Sequence, residues 1–167
     1  NGMALASKMD GLGCRIYCIL GDGEREEVQI WEAAMTANKY KLDNLCVILD
    51  NNGLQIDGKI LEVKDLDCLR SKWESFGFNV ISCNGNDIEM LLDAFSKARS
   101  TKGQPSIIIA ETVKGKGVPF MENKAEWHGK APNEEEYNKA IKALKLEKDK
   151  ITHNISTLPG KEEKIWF

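Results

Sequence analysis

No stretch of this sequence approaches the roughly eighteen or more apolar residues of a membrane-spanning helix, and no charged start runs into an apolar signal core. Neither sign of charge is in marked excess. With 23 Lys and Arg against 26 Asp and Glu, the net charge is −3, which argues against a general binder of nucleic acid or anionic membrane. CxxC pairs are missing, and the cysteines (Cys14, Cys18, Cys46, Cys68, Cys83) are odd in number, so neither a disulfide framework nor a zinc site is indicated. Cys14 and Cys18 fall on one expected strand, where four residues span about 13 Å, too far for a disulfide. Internal repeats and low-complexity tracts are missing too. These absences leave a folded, cytoplasmic protein of 167 residues, one domain's worth of chain, whose 42% hydrophobic content suffices for a core.

What is present is concentrated between Arg15 and Gly58. Two short runs, Ile16-Tyr17-Cys18-Ile19-Leu20 and Leu45-Cys46-Val47-Ile48-Leu49, are apolar throughout rather than alternating, as expected for interior strands of a parallel sheet covered on both faces. Val28 to Tyr40 has helical length between them, with Ile30, Ala33, Ala34, Ala37 and Lys41 at helix-like recurrence. The unit reads strand, helix, strand, with a right-handed crossover. GDG (Gly21 to Gly23) and NNG (Asn51 to Gly53) follow the two runs directly, and in an open sheet ligands sit beyond the carboxyl ends of the strands.

Asp22 brings a carboxylate to that edge and Asn52 an amide oxygen, and the turn after Asn52 can direct a main-chain carbonyl inward. Such hard oxygen ligands suit Mg2+, which usually takes one or two protein carboxylates and completes its shell with phosphate oxygens and water; Ca2+ is the alternative. Gly21 and Gly23 permit close approach of the backbone, and the N-terminus of the next helix supplies free N–H groups. The inferred guest is a metal diphosphate. GDG and Asn-Gly are each ordinary turn chemistry, so the case rests on their joint placement at neighbouring strand ends.

Further along, Leu66 to Phe76 reads as a helix with Trp73 in the core and Gly77 as its stop, and Ile60 to Asp65 as a short connection. Phe78 to Cys83 reads as a third strand. Asp87 caps a helix whose apolar face is Ile88, Leu91, Leu92, Phe95 and Ala98. Ser106 to Glu111 is a fourth, buried parallel strand. The Thr112 to Gly117 turn beyond it brings Lys114 and Lys116 to the edge that holds Asp22 and Asn52. Val118 to Pro132, with His128 inside it, is long for a structureless connection, which favours a functional loop. Asn133 to Leu146 is a helix with acids first and lysines later. Residues 1–146 form the domain, and residues 147–167 a tail or arm ending in the aromatic Trp166-Phe167.

The interval of thirty residues from Asp22 to Asn52, together with WEAAM, YKLDNL, NNGLQIDG, TVKGKG and EWHGKAP, resembles the transketolase family over most of residues 1–146. The resemblance implies an α/β three-layer sandwich with a mostly parallel sheet, a partial thiamine diphosphate-binding fold. It implies Asp22, Asn52 and the carbonyl of Leu54 as metal ligands and Gly23 as a backbone contact to the diphosphate. Lys114 and His128 would face the cofactor phosphate or the sugar, His128 and Glu27 having catalytic roles. The implied reaction moves a two-carbon ketol unit between sugar phosphates.

In the family a complementary pyrimidine-binding domain from another chain completes the site. The expectation is therefore a fragment or the smaller subunit of a split transketolase, inactive alone and active as a dimer or heterotetramer. Asn1 to Asp10, which reads as the end of a longer helix, agrees with this. Where the family has glycine after the acid at Glu27, this chain has Val28, which puts the backbone geometry there in doubt. The alternatives are a non-catalytic relative with an assembly role, or another thiamine diphosphate enzyme such as deoxyxylulose phosphate synthase.

Overall fold

The computed structural model describes residues 1–64 and 68–156. Its elements run α1 (Gly2–Met9), β1 (Ile16–Gly21), a 3₁₀ turn (Glu24–Glu26), α2 (Val28–Lys39), β2 (Leu45–Asn51), β3 (Leu54–Gln55), β4 (Gly58–Lys59), α3 (Ile60–Val63), α4 (Leu69–Ser75), β5 (Asn79–Asn84), α5 (Ile88–Ser100), β6 (Ser106–Glu111), a second 3₁₀ turn (Ala125–Trp127) and α6 (Glu134–Ser156). The main sheet has the order β1-β2-β6-β5 and every pairing in it is parallel. β3 and β4 form a small antiparallel hairpin directly after β2.

Two apolar clusters make this a three-layer α/β sandwich. On one face Leu20, Val47, Leu49, Ile107 and Ile109 meet Ala4 of α1, Ala34 and Ala37 of α2, and Trp73 of α4. Trp73 is 1% exposed and packs its ring 4.9 Å from Trp31 and 5.0 Å from Phe78, a core role as expected. On the other face Cys46, Ile108, Ala110 and Cys83 meet Ala94 and Ala98 of α5. Alanines on both helix faces let the helices lie close to the sheet.

The strand boundaries fall close to expectation, but two burial expectations do not hold. β1 is not interior: it is the sheet edge, with Tyr17 at 47% and Ile19 at 74% exposure. On that face α5 lies mainly over β5 and β6, and it meets the β1 end of the sheet through the Tyr17–Phe95 ring contact and the Arg15 hydrogen bond to the Ala98 carbonyl. For the same reason Ile88 and Leu92 turn away from the core and are exposed, while Leu91 and Phe95 pack against it. The connection after Asp57 is more structured than expected, comprising β4 and α3. The last helix continues beyond Leu146 to Ser156, so residues 147–156 extend it. Leu66, Pro159-Gly160 and the aromatic end lie outside the described residues. Cys14 precedes β1 rather than lying on it, and no disulfide joins cysteines among the described residues.

Candidate functional site

Register brings the site together. Gly21 pairs with Asp50, Asp50 with Ala110 and Asn51 with Glu111, so β1, β2 and β6 end level and their outgoing turns share one edge. After Asn52 the chain must reverse into the hairpin, and Gly53 does so at φ +75°, a conformation costly for any residue with a Cβ. Its N–H, thus turned, donates to Asp22 Oδ2 at 2.5 Å, joining the β1 and β2 turns. Gly23 has an ordinary φ of −67°; what favours glycine there is space, because a Cβ would lie 3.2 Å from Gln55 Cβ, a tight contact that the hairpin would have to relieve by a few tenths of an ångström.

The turns enclose a cleft of about 710 Å³ lined by Gly21, Asp22, Gly23, Glu24, Glu26, Glu27, Val28, Asp50, Asn52, Leu54, Gln55, Ile56, Lys64, Lys114 and His128. All seven residues singled out from the sequence as site candidates are in that lining. Lys116 is not: it lies exposed, 4.0 Å from Glu122. Five carboxylates face two lysines and one histidine, so the cleft is built to attract cations before anions.

Asp22 is 2% exposed. Burial pushes its carboxyl above the ordinary range, against the opposing pull of the Arg25 guanidinium and the Gly53 N–H. Asn52 donates from Nδ2 to Asp50 Oδ2 at 3.1 Å and accepts the Leu54 N–H on Oδ1 at 2.9 Å. Asp50 also accepts the Thr112 hydroxyl. Glu27 stands at the N-terminal boundary of α2 without capping it through its side chain, and Val28 opens the helix with an exposed side chain and no positive φ. The backbone geometry that valine put in doubt is thus that of an ordinary helix start, and the Val28 side chain stands in the cleft wall. His128 is exposed at the end of the second 3₁₀ turn, beside Trp127, whose ring packs 5.5 Å from Phe120 and carries Lys130 Nζ 4.2 Å from its centroid.

A divalent metal fits this donor set. Asp22 Oδ1 is a buried carboxylate oxygen that accepts no hydrogen bond and is met by the Arg25 guanidinium at 3.2 Å, and carboxylate, amide and carbonyl oxygens are the ligands that Mg2+ and Ca2+ take. Among the described residues no group of three or more His, Cys, Asp or Glu could hold a metal by itself, so phosphate oxygens or water would have to complete the shell. Sequence reasoning missed Arg25 and Asp50. The i,i+3 spacing from Asp22 to Arg25 was a visible signal for the first; Asp50 had only its place beside NNG.

An open α/β sheet with its ligand cleft beyond the carboxyl ends of the strands defines the class of protein. The family description "Transketolase, thiamine diphosphate binding domain" matches residues 7–157, and the chain belongs to that family. It is similar to an apulose-4-phosphate transketolase subunit of Phocaeicola vulgatus, 43% identical over 153 residues, which cover 89% of this chain and 54% of that protein. It is also similar to a 6-deoxy-6-sulfo-D-fructose transketolase subunit of a Clostridium species, 43% identical over 146 residues, 87% of this chain and 53% of that protein. Among solved structures, transketolase of Campylobacter jejuni matches with a TM-score of 0.72 and 25% identity, covering 95% of this chain and 30% of that one. The chain spans about half the length of the first two relatives.

Proposed function

We propose that this chain is the diphosphate-binding part of a transketolase that works with a complementary pyrimidine-binding subunit, in a dimer or heterotetramer, on ketose and aldose phosphates. The observation that carries the reading is the single cleft that gathers Asp22, Asn52, Leu54, Lys114 and His128 from four separate segments. The match to relatives named as transketolase subunits supports the need for a partner.

Thiamine diphosphate, when bound, supplies the carbanion chemistry of ketol transfer. The chain's own residues bind and orient. Asp22, Asn52 and the Leu54 carbonyl would hold Mg2+ or Ca2+, and Gly23 would meet the diphosphate through its backbone. Lys114, with Lys64, brings positive charge to a cleft in which carboxylates predominate, as an anionic ligand requires. His128, on the exposed rim, is placed to donate a hydrogen bond to a sugar hydroxyl or to exchange a proton with it. Glu27 lies at the wall beside Val28, where an acid at a subunit boundary would relay protons. The cytoplasm, with its reduced thiols and soluble sugar phosphates, is the compartment we assign. No helix among the described residues is long and apolar enough to cross a membrane.

A non-catalytic, assembly-only relative is the second reading, favoured by one observation: the Asp22 side chain has no exposed surface and is paired with Arg25. Calorimetric titration of thiamine diphosphate with Mg2+ into the chain, alone and with a candidate complementary subunit, separates the two. Binding that disappears in Asp22→Ala and tightens with the partner is the expected result. A folded chain that binds nothing even with the partner would establish the assembly reading in its place.

A further inference from the structure

The side chain of Asp22 is 0% exposed, and a cation belonging to the chain already stands beside it. Arg25, in the 3₁₀ turn after Gly23, sets Nη2 3.2 Å from Asp22 Oδ1, while its Nη1 donates to Asn51 Oδ1 at 3.2 Å. The arginine side chain is itself only 7% exposed and is not part of the cleft lining, so the guanidinium meets the carboxylate from outside the cleft. Its Nε has no hydrogen-bond partner. A guanidinium stripped of water is well held only when fixed acceptors replace every lost hydrogen bond, and here the replacement is incomplete.

Both oxygens of Asp22 are engaged, Oδ2 by the Gly53 N–H and Oδ1 by Arg25. We propose that Arg25 is a built-in counter-cation of Asp22, and that a divalent metal gains this carboxylate only by displacing the guanidinium from Oδ1, so that Arg25 sets the metal affinity of the site. The inference rests on Asp22 being a metal ligand, as read above. A compact ion with two charges in direct contact outcompetes one delocalised charge for the same oxygen, but part of its gain is spent on breaking the existing pair. The next residue, Glu26, lines the cleft and keeps a buried Oε1 with no hydrogen-bond partner. The chain thus sets a counter-charge beside Asp22 before loading, at the expense of binding metal less tightly than its oxygens alone would.

The test is calorimetric titration of Mg2+, at saturating thiamine diphosphate, into the full chain and its Arg25→Met and Arg25→Lys variants. Thermal unfolding of each is followed without metal. We expect Arg25→Met to bind Mg2+ about tenfold more tightly, the scale on which groups that hold metal ligands change affinity. The same variant should unfold at lower temperature without metal, because its buried carboxylate has lost its counter-charge. Arg25→Lys, which keeps the charge without the planar fork, should return affinity toward that of the unmodified chain. In the unmodified chain, hydrogen exchange at Arg25 Nε–H should accelerate at least tenfold on loading, a readout that decides the matter even where Arg25→Met does not fold. Equal or weaker Mg2+ affinity in a folded Arg25→Met, or unmoved exchange at Arg25, overturns the inference and leaves the proposed function standing. No Mg2+ binding by any of the three chains, with or without the partner, overturns both.

Discussion

At the scale of single residues, the Asn52 amide is fixed from both ends: Nδ2 donates to Asp50, and Oδ1 accepts the Leu54 N–H, leaving that oxygen a second lone pair. Asp50 is in turn held by the Thr112 hydroxyl, so a residue beyond β6 decides which way an amide beyond β2 faces. Asp50→Ala frees the amide to rotate, and Mg2+-dependent binding of thiamine diphosphate should weaken about tenfold, with Asp50→Asn in between. Unchanged affinity in Asp50→Ala, measured by calorimetry, would show that the amide needs no such support. The sequence made Asp22 and Asn52 legible because each sits in a short motif at a strand end. Asp50 stayed hidden because its partner Thr112 is 62 positions away. Arg25 carried only its i,i+3 spacing to Asp22, and because a side chain with so long a reach can point to solvent or inward, that signal alone did not place it.

Among the elements, apolar runs located all four sheet strands, and the interval from Asp87 located α5 with its cap, the Asp87 carboxylate accepting the Met90 N–H at 3.0 Å. What the runs did not encode was strand order. An apolar strand reads the same whether it lies in the middle, as β2 and β6 do, or at the edge, as β1 does. At the opposite end of the sheet from the cleft, Asp43 ties three elements together. It accepts from Lys8 of α1 at 3.1 Å and from the Gly103 N–H before β6 at 2.9 Å, in the turn between α2 and β2. The Gly103 N–H first, and Lys8 after it, hold its carboxyl below the ordinary range. A depressed folded value means stability that is fully present above the unfolded pKa of about 3.9 and lost as pH falls through the folded value. Asp43→Asn should therefore cost about 1 kcal/mol at neutral pH, a charge-assisted bond discounted for partial exposure. In urea unfolding the difference from the unmodified chain should close below about pH 4. A difference that persists undiminished at lower pH would assign the loss to geometry rather than charge.

Across the whole molecule, β6 is flanked by β2 and β5 and is buried along its length except at Glu111. Its partner in β2 is distant in sequence, Cys46 pairing with Ser106, whereas β1 and β2 are linked by a single helix. Order of synthesis therefore matters. A chain growing from its N-terminus makes α1, β1, α2 and β2 early, yet β2 and β5 have no common neighbour until residues 106–111 are free to enter. A chain ending at Gln104 should show no cooperative thermal transition and little hydrogen-exchange protection in β2, while one ending at Ser156 shows both; a sharp transition in the shorter chain would refute this. Of the four strands of the main sheet, β6 is the last to leave the ribosome, and until it arrives β2 and β5 each present an unpaired edge open to wrong partners.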